Sequence, residues 1–182
     1  LNNIILKDES KFSARFIICL LNSSLINWYY NNQFTNGSTL TVNISKEYLS
    51  KIPIAKTNSQ NNFIKKADKM IQNTETLFSY SKKFCRYIES NFDSISCSNK
   101  IIMFYELEFI EFIKELNKGI RKSGGEKLSK LQEMEWIEVF ETKKKEAQQL
   151  KEEIDKTDRE IDQMVYELYG LTEDEIKIVE ES

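Results

Sequence analysis

Two regimes of apolar spacing divide the chain. In the longer one, Ile64, Ala67, Ile71, Thr74, Phe78, Ser81, Cys85, Ile88 and Phe92 recur at alternating intervals of three and four. That spacing puts them on one stripe of a helix of about eight turns. A second seam, Trp136, Phe140, Lys143, Ala147, Leu150, Ile154, Thr157, Ile161, Met164 and Leu168, keeps the same rhythm, with charges on the remaining faces. At 1.5 Å per residue the seams span roughly 42 and 48 Å, so they are matched in length for antiparallel pairing. The small and polar members Ala67, Thr74, Ser81, Lys143 and Thr157 weaken a free-standing coiled coil and favour packing against further protein. Between the seams, Tyr105, Leu107, Phe109, Ile110, Phe112, Ile113 and Leu116 predict a shorter helix ending near Gly119 and the loop Arg121-Lys122-Ser123-Gly124-Gly125. That helix is expected to cap the far end of the hairpin.

The front of the chain follows a different rhythm. Ile4-Ile5-Leu6 and Leu40 to Ile44 have strand-like composition, and a helix is predicted from about Lys11 to Tyr30. Ser45 offers an N-cap for a short helix, which leads to Ile52-Pro53-Ile54. The predicted fold class is therefore α+β and mostly helical: a small mixed piece over residues 1–57, then a helical region over 58–182. The mixed piece is too small to close a sheet alone, and the chain opens on Leu1 in place of Met. Both features predict that it is part of a longer protein whose earlier strands complete the domain. At the other end, Gly170 suits the positive φ of a helix C-cap, and Thr172 with Glu175 spells a capping box that starts a last short helix.

Composition supports long helices: 30% charged and 40% hydrophobic residues, with only five Gly and one Pro. No apolar run approaches the roughly 18 residues of a membrane span; Phe16 to Leu21 is the nearest and stops at Asn22. Neither a membrane partner nor a secretory signal is expected. Three unevenly spaced cysteines, Cys19, Cys85 and Cys97, fit a reducing cytoplasm. The net charge of -3 hides a segregation. Residues 1–130 carry 19 Lys/Arg against 12 Asp/Glu, or +7, and residues 131–182 carry 7 against 17, or -10. A basic front and an acidic back suit a protein with one face toward phosphate and another toward solvent or a partner.

Several chemistries lack their residues. With no His, the usual base of Ser and Cys hydrolases is missing, as are His-dependent zinc sites. Gly124-Gly125 is not followed by the Gly-Lys-Ser/Thr of a phosphate-cradling loop. Glu9-Ser10-Lys11 and Glu175-Ile176-Lys177 each have the Glu-x-Lys pair of metal-dependent nucleases, but neither has a good candidate for the upstream acid. Glu173-Asp174-Glu175 fits first-turn acids opposing a helix dipole better than it fits a cation site. No catalytic residue and no metal ligand is expected within the chain.

Polar loop chemistry remains. Asn31-Asn32-Gln33-Phe34-Thr35-Asn36-Gly37-Ser38-Thr39 collects amides and hydroxyls, and Asn or Gln can pair bidentately with adenine edges in the major groove. Lys46, Lys51 and Lys56 follow closely and suit phosphate contacts, which supply affinity and register. Trp28, Tyr29 and Tyr30 point to different helix faces and are expected to be mostly core. Lys82, Lys83, Arg86 and Lys143 to Lys145 are weaker phosphate candidates, because helical lysines are ordinarily solvated surface.

Two stretches carry a family resemblance. Phe16 to Tyr30, Gly37-Ser38-Thr39 and Ile44-Ser45-Lys46-Glu47-Tyr48-Leu49-Ser50-Lys51-Ile52-Pro53-Ile54 resemble the last third of a target-recognition domain. Such domains occur in the C-terminal specificity regions of adenine-specific DNA methyltransferases and in type I restriction specificity subunits. Gln60 and Ile64 to Ile71 resemble the start of the spacer helix that follows in those proteins. Ile161 to Thr172 with Glu173-Asp174-Glu175-Ile176 is similar to the extreme C-terminus of adenine methyltransferases fused to restriction or phage-defence enzymes. The resemblance implies a sequence-specific DNA recognition module whose partners are double-stranded DNA and the methyltransferase domain of the same chain or complex. It implies DNA-binding roles for Asn36, Gly37, Ser38, Thr39, Lys46, Lys51 and Lys56. The methyltransferases hold their flipped base with an Asn/Asp-Pro-Pro-aromatic loop, which a chain with Pro53 as its single proline cannot form. S-adenosylmethionine, and Mg²⁺ where an endonuclease is attached, are thus implied for the parent protein and not for this chain. The alternative is a structural helical spacer that docks the methyltransferase or another subunit without touching DNA.

Overall fold

The computed structural model describes residues 5, 11–34, 46–57, 59–92 and 94–181. Among these, regular structure is entirely helical: α1 (Ala14–Asn22), α2 (Ser24–Phe34), α3 (Lys46–Leu49), α4 (Asn61–Asn91), α5 (Asn99–Ile102), α6 (Phe109–Lys122), α7 (Lys130–Tyr169) and α8 (Glu173–Glu180). A single 3-10 turn, Phe104–Glu106, follows α5. The α+β expectation is therefore corrected, among the described residues, to an all-helical architecture. Around Pro53 the physical reason is visible. The Tyr169 hydroxyl donates to the Pro53 carbonyl at 2.6 Å and accepts from the Ala55 amide at 3.2 Å, so a side chain takes the backbone groups that a strand ladder would have used. Ile52 is buried beside Ile26 and Tyr30. The expected strands Ile4 to Leu6 and Leu40 to Ile44 and the Ser45 cap lie outside the described residues, except for Ile5, which has no regular structure.

The chain forms two compact units, residues 1–71 with 155–182, and residues 72–154; α4 and α7 contribute to both. In the first unit, the single helix predicted over Lys11 to Tyr30 breaks at Ser23, which adopts φ -67° and ψ 151°. Its hydroxyl donates to the Leu20 carbonyl at 2.7 Å and accepts from the Ile26 amide at 3.3 Å, closing α1 and opening α2. Asp162 completes the joint: its carboxylate accepts from the Ser24 amide at 2.8 Å and from the Ser24 hydroxyl at 2.6 Å. An anion here satisfies a first-turn donor and opposes the α2 dipole. Phe16, Cys19, Leu20 and Leu25 then pack with Phe63, Ala67, Ile161, Val165, Tyr166 and Val179 into one core. Phe16 meets Phe63 edge to face at 5.1 Å. Gln60 sews the entry of α1 to the start of α4, accepting from the Ser13 amide and donating to the Lys11 carbonyl, both at 2.8 Å. Lys66 of α4 pairs with Glu160 of α7. At the C-terminal end of α7, Gly170 has φ +70° and the Leu171 amide reaches the Tyr166 carbonyl at 3.0 Å. Thr172 and Glu175 then form the predicted capping box of α8.

The second unit is built on aromatic packing. Phe84, Phe104, Phe112, Trp136 and Phe140 share a core with Ile88, Ile101, Ile113, Leu116 and Ile120. Phe112 stacks on Phe140 at 4.6 Å, and Phe84 lies 4.4 Å from Phe104. Within this unit α4 and α7 run antiparallel: Tyr80 bonds to Glu146, and Tyr87 further along α4 meets Trp136 further back along α7 at 5.8 Å. The α7 seam holds as far as Ile161, with Trp136, Phe140, Ala147, Thr157 and Ile161 buried; beyond it Val165 and Tyr166 take the buried positions, and the expected Met164 and Leu168 are half-buried. The α4 stripe does not hold throughout, because Phe78 is 57% exposed and Leu77 and Phe84 take the inward positions. A strict heptad drifts by about 20° per repeat on a straight helix, enough over four repeats to carry a nominal seam position out of the core.

Candidate nucleic-acid interface

The lysines expected to meet phosphate sit around α3, and an aromatic clamp sets their place. Phe34 at the end of α2 stacks on Tyr48 of α3 at 4.9 Å, and Tyr30 meets both rings edge to face at 5.4 and 6.4 Å. Asn36, Gly37, Ser38 and Thr39 lie outside the described residues; the clamp joins the two helices that flank them. Lys46 and Lys56 are exposed, and among the described residues neither has an ion-pair partner. Lys51 is engaged: its ammonium lies 2.8 Å from Glu47 and 5.7 Å from the Tyr48 ring centre. The hydrogen bond from Lys51, and then its charge, hold the Glu47 carboxyl below its ordinary pKa. The same contacts raise that of Lys51, so both groups stay ionised near neutrality. Lys51 thus offers phosphate a charge already shared with a carboxylate.

The aromatic run is mostly packing, as its helical spacing suggests. Tyr30 is buried, while Trp28 and Tyr29 are half-buried. Among the weaker cationic candidates, the Lys144 side chain is only 11% exposed and bonds Glu108 at 3.0 Å, and Lys143 pairs with Glu146 at 3.2 Å. Both are occupied within the fold. Glu175, one half of a nuclease-like pair, uses its carboxylate to accept from the Thr172 amide at 2.8 Å. Cys19 is buried against the Phe63 carbonyl, and burial pushes its thiol up to about 11. Among the described residues no three or more His, Cys, Asp or Glu side chains come together as a metal-binding group. No helix among them is long and apolar enough to cross a membrane.

A second basic surface escaped the sequence reading. In the 72–154 unit, Lys114, Asn117, Lys118, Arg121 and Lys122 of α6, with Lys127 from the following loop, line an open groove of about 590 Å³. Four of the cations follow the i, i+4, i+7, i+8 spacing of one helix face, a signal present in the sequence but easily taken for ordinary solvated surface. The return of Lys127 to that face depends on the fold of the loop.

Comparison with known proteins divides the chain near the same place as the change in apolar rhythm. Residues 1–54 match a family model described as the TaqI-like C-terminal specificity domain. This similarity supports the specificity region of a restriction-modification methyltransferase over that part of the chain. Among the curated proteins and the solved structures, nothing matches. Residues 56–165, more than half of the chain, match a second family model, and the chain accordingly belongs to the family described as a domain of unknown function (DUF8810).

Proposed function

We propose that this chain is the sequence-specific DNA recognition module of a restriction-modification or phage-defence adenine methyltransferase, and that it makes and breaks no bonds itself. The observation that carries this reading is the similarity of residues 1–54 to a TaqI-like C-terminal specificity domain. In this reading, Asn36, Gly37, Ser38 and Thr39 face base edges, while Lys46, Lys51 and Lys56 hold phosphate. S-adenosylmethionine, and any catalytic Mg²⁺, bind a methyltransferase or nuclease part elsewhere in the parent protein. The exposure of Lys46 and Lys56 supports their role, and Lys51 exchanges Glu47 for phosphate on docking.

The division of labour is testable on the 182-residue chain by selecting preferred duplexes from a random pool and measuring their affinities. Asn36→Ala and Thr39→Ala are expected to change which sequence is preferred. Lys46→Ala, Lys51→Ala and Lys56→Ala are expected to weaken all duplexes alike, each lowering the salt dependence by about one unit of log-log slope. Equal effects of all five changes on every duplex would refute the assignment. A second reading, a docking spacer for the methyltransferase domain, draws on the apolar start of α7, where Leu131 and Met134 are 68% and 67% exposed. It requires capture of the methyltransferase domain together with no shift of DNA by this chain.

A further inference from the structure

We infer that the basic groove on α6 is a second, sequence-independent binding site that takes the phosphate backbone of duplex DNA. Lys114, Lys118, Arg121 and Lys122 share one helix face and extend over roughly 12 Å. Phosphates of one strand advance 3.4 Å along the duplex axis, so this row covers about three or four of them. Lys127 joins the row because the loop is fastened to α6. The Leu128 amide donates to the Asn117 side-chain carbonyl at 2.7 Å, and Leu128 itself is buried. The Gly125 amide donates to the Ile120 carbonyl at 2.9 Å, and a Cβ on Gly125 would fall 2.8 Å from the Ile120 side chain.

Three observations separate this groove from an ordinary solvated helix face. First, charge is concentrated: residues 114–130 carry six cations, Lys114, Lys118, Arg121, Lys122, Lys127 and Lys130, against two carboxylates, Glu115 and Glu126. Second, the cations are mostly free to bind. Among the described residues Lys114, Arg121, Lys122 and Lys127 have no ion-pair partner, whereas Lys118 meets Glu115 at 3.6 Å and Lys130 meets Glu133 at 2.5 Å. The Glu115 side chain is 11% exposed and is shared with Lys100 at 3.9 Å. Third, the negative end of the α6 dipole is covered. The amides of Ser123, Gly124 and Gly125 take the carbonyls of Gly119, Arg121 and Ile120, so an approaching anion does not face bare carbonyl oxygens.

The lining contains no aromatic side chain. Single-stranded nucleic acid is held by stacking its bases on aromatic rings, whereas a row of cations alone suits a duplex backbone. The choice of DNA over RNA rests on the reading of residues 1–54 given above; the assignment of phosphate does not.

The test is fluorescence anisotropy of a labelled random-sequence DNA duplex with the 182-residue chain, titrated over a range of salt. The combined variant Lys114→Gln, Arg121→Gln, Lys127→Gln is expected to bind on the order of tenfold more weakly at low salt, with a log-log salt slope shallower by about three. The loss should be the same for unrelated sequences, and Glu126→Gln should tighten binding. Unchanged affinity and slope, with the native circular dichroism retained, would overturn the proposal. Preferential binding of single-stranded RNA through the same three residues would overturn the assignment to duplex DNA. If the combined variant loses its helical signal, Lys127→Gln alone, on the exposed loop, decides by a slope change of about one or none. Loss of binding in the groove variant with no effect of Lys46→Ala and Lys56→Ala would refute the front-end reading and leave the groove standing.

Discussion

Asp162 commits both carboxylate oxygens to Ser24, a residue 138 positions away in the chain. Replacing it with Ala leaves the Ser24 amide and hydroxyl without their acceptor, and the expected cost is about 1 to 2 kcal/mol in urea unfolding. Unchanged stability would mean that Ser23 alone caps α2. Gly170 is constrained in another way: at φ +70° its conformation disfavours a side chain, although nothing lies within 4 Å of the position a Cβ would take. Gly170→Ala should therefore cost about 1 kcal/mol through backbone strain alone, visible as a lowered thermal midpoint. Cys19 has its thiol pushed up to about 11 by burial and stays protonated at mildly alkaline pH. A thiol reagent such as Ellman's should leave it unmodified in the native chain and modify it once the chain is denatured; rapid native labelling would contradict the burial.

At the scale of elements, the aromatic core of the 72–154 unit depends on Phe112, which is fully buried against Phe84, Trp136 and Phe140. Phe112→Ala is expected to cost about 3 to 5 kcal/mol, measured by denaturant titration, because aromatic neighbours on three sides leave little room for collapse. The pairings along the long helices add a dependence on pH. Tyr80 and then Lys143 hold the Glu146 carboxyl below its ordinary value of 4.5, Lys66 does the same for Glu160, and Thr172 for Glu175. A carboxyl depressed in the folded state contributes stability that is present above 4.5 and lost as pH falls through its lowered value. The thermal midpoint should therefore fall as pH is lowered beyond 4.5, and Glu146→Gln should blunt that fall. The α7 seam was legible in the sequence as far as Ile161, because bulky residues at heptad spacing leave one inward face; past it Val165 and Tyr166, not Met164 and Leu168, are the buried pair. The break at Ser23 was not: the periodicity of Phe16 to Tyr30 runs through it, and Asp162, which completes the joint through Ser24, lies on a different helix. The tie of Pro53 and Ala55 to the side chain of Tyr169 was equally hidden, since the two partners are over a hundred positions apart in the chain.

For the whole molecule, a net charge of -3 conceals cations at the front and on α6 and carboxylates toward the end of the chain. Despite its overall sign, the chain is expected to be retained on heparin at low salt and released as salt rises; passage straight through the column would argue against both basic surfaces. The front candidates were named from chemistry, amides followed by lysines, and from likeness to a target-recognition domain; of them the structure describes Lys46, Lys51 and Lys56. The groove on α6 was not, since Lys127 reaches it only through the loop bonds between Leu128 and Asn117 and between Gly125 and Ile120.

The core beneath α1 and α2 draws on both ends of the chain, with Phe63, Ala67, Ile161, Val165 and Val179 all lying beyond the 1–54 match. A swap of target preference that transplants a relative's front segment at that boundary would part Ser24 from Asp162 and Pro53 from Tyr169. Graft boundaries that respect this shared foundation must therefore include the last turns of α7 as well as the front itself.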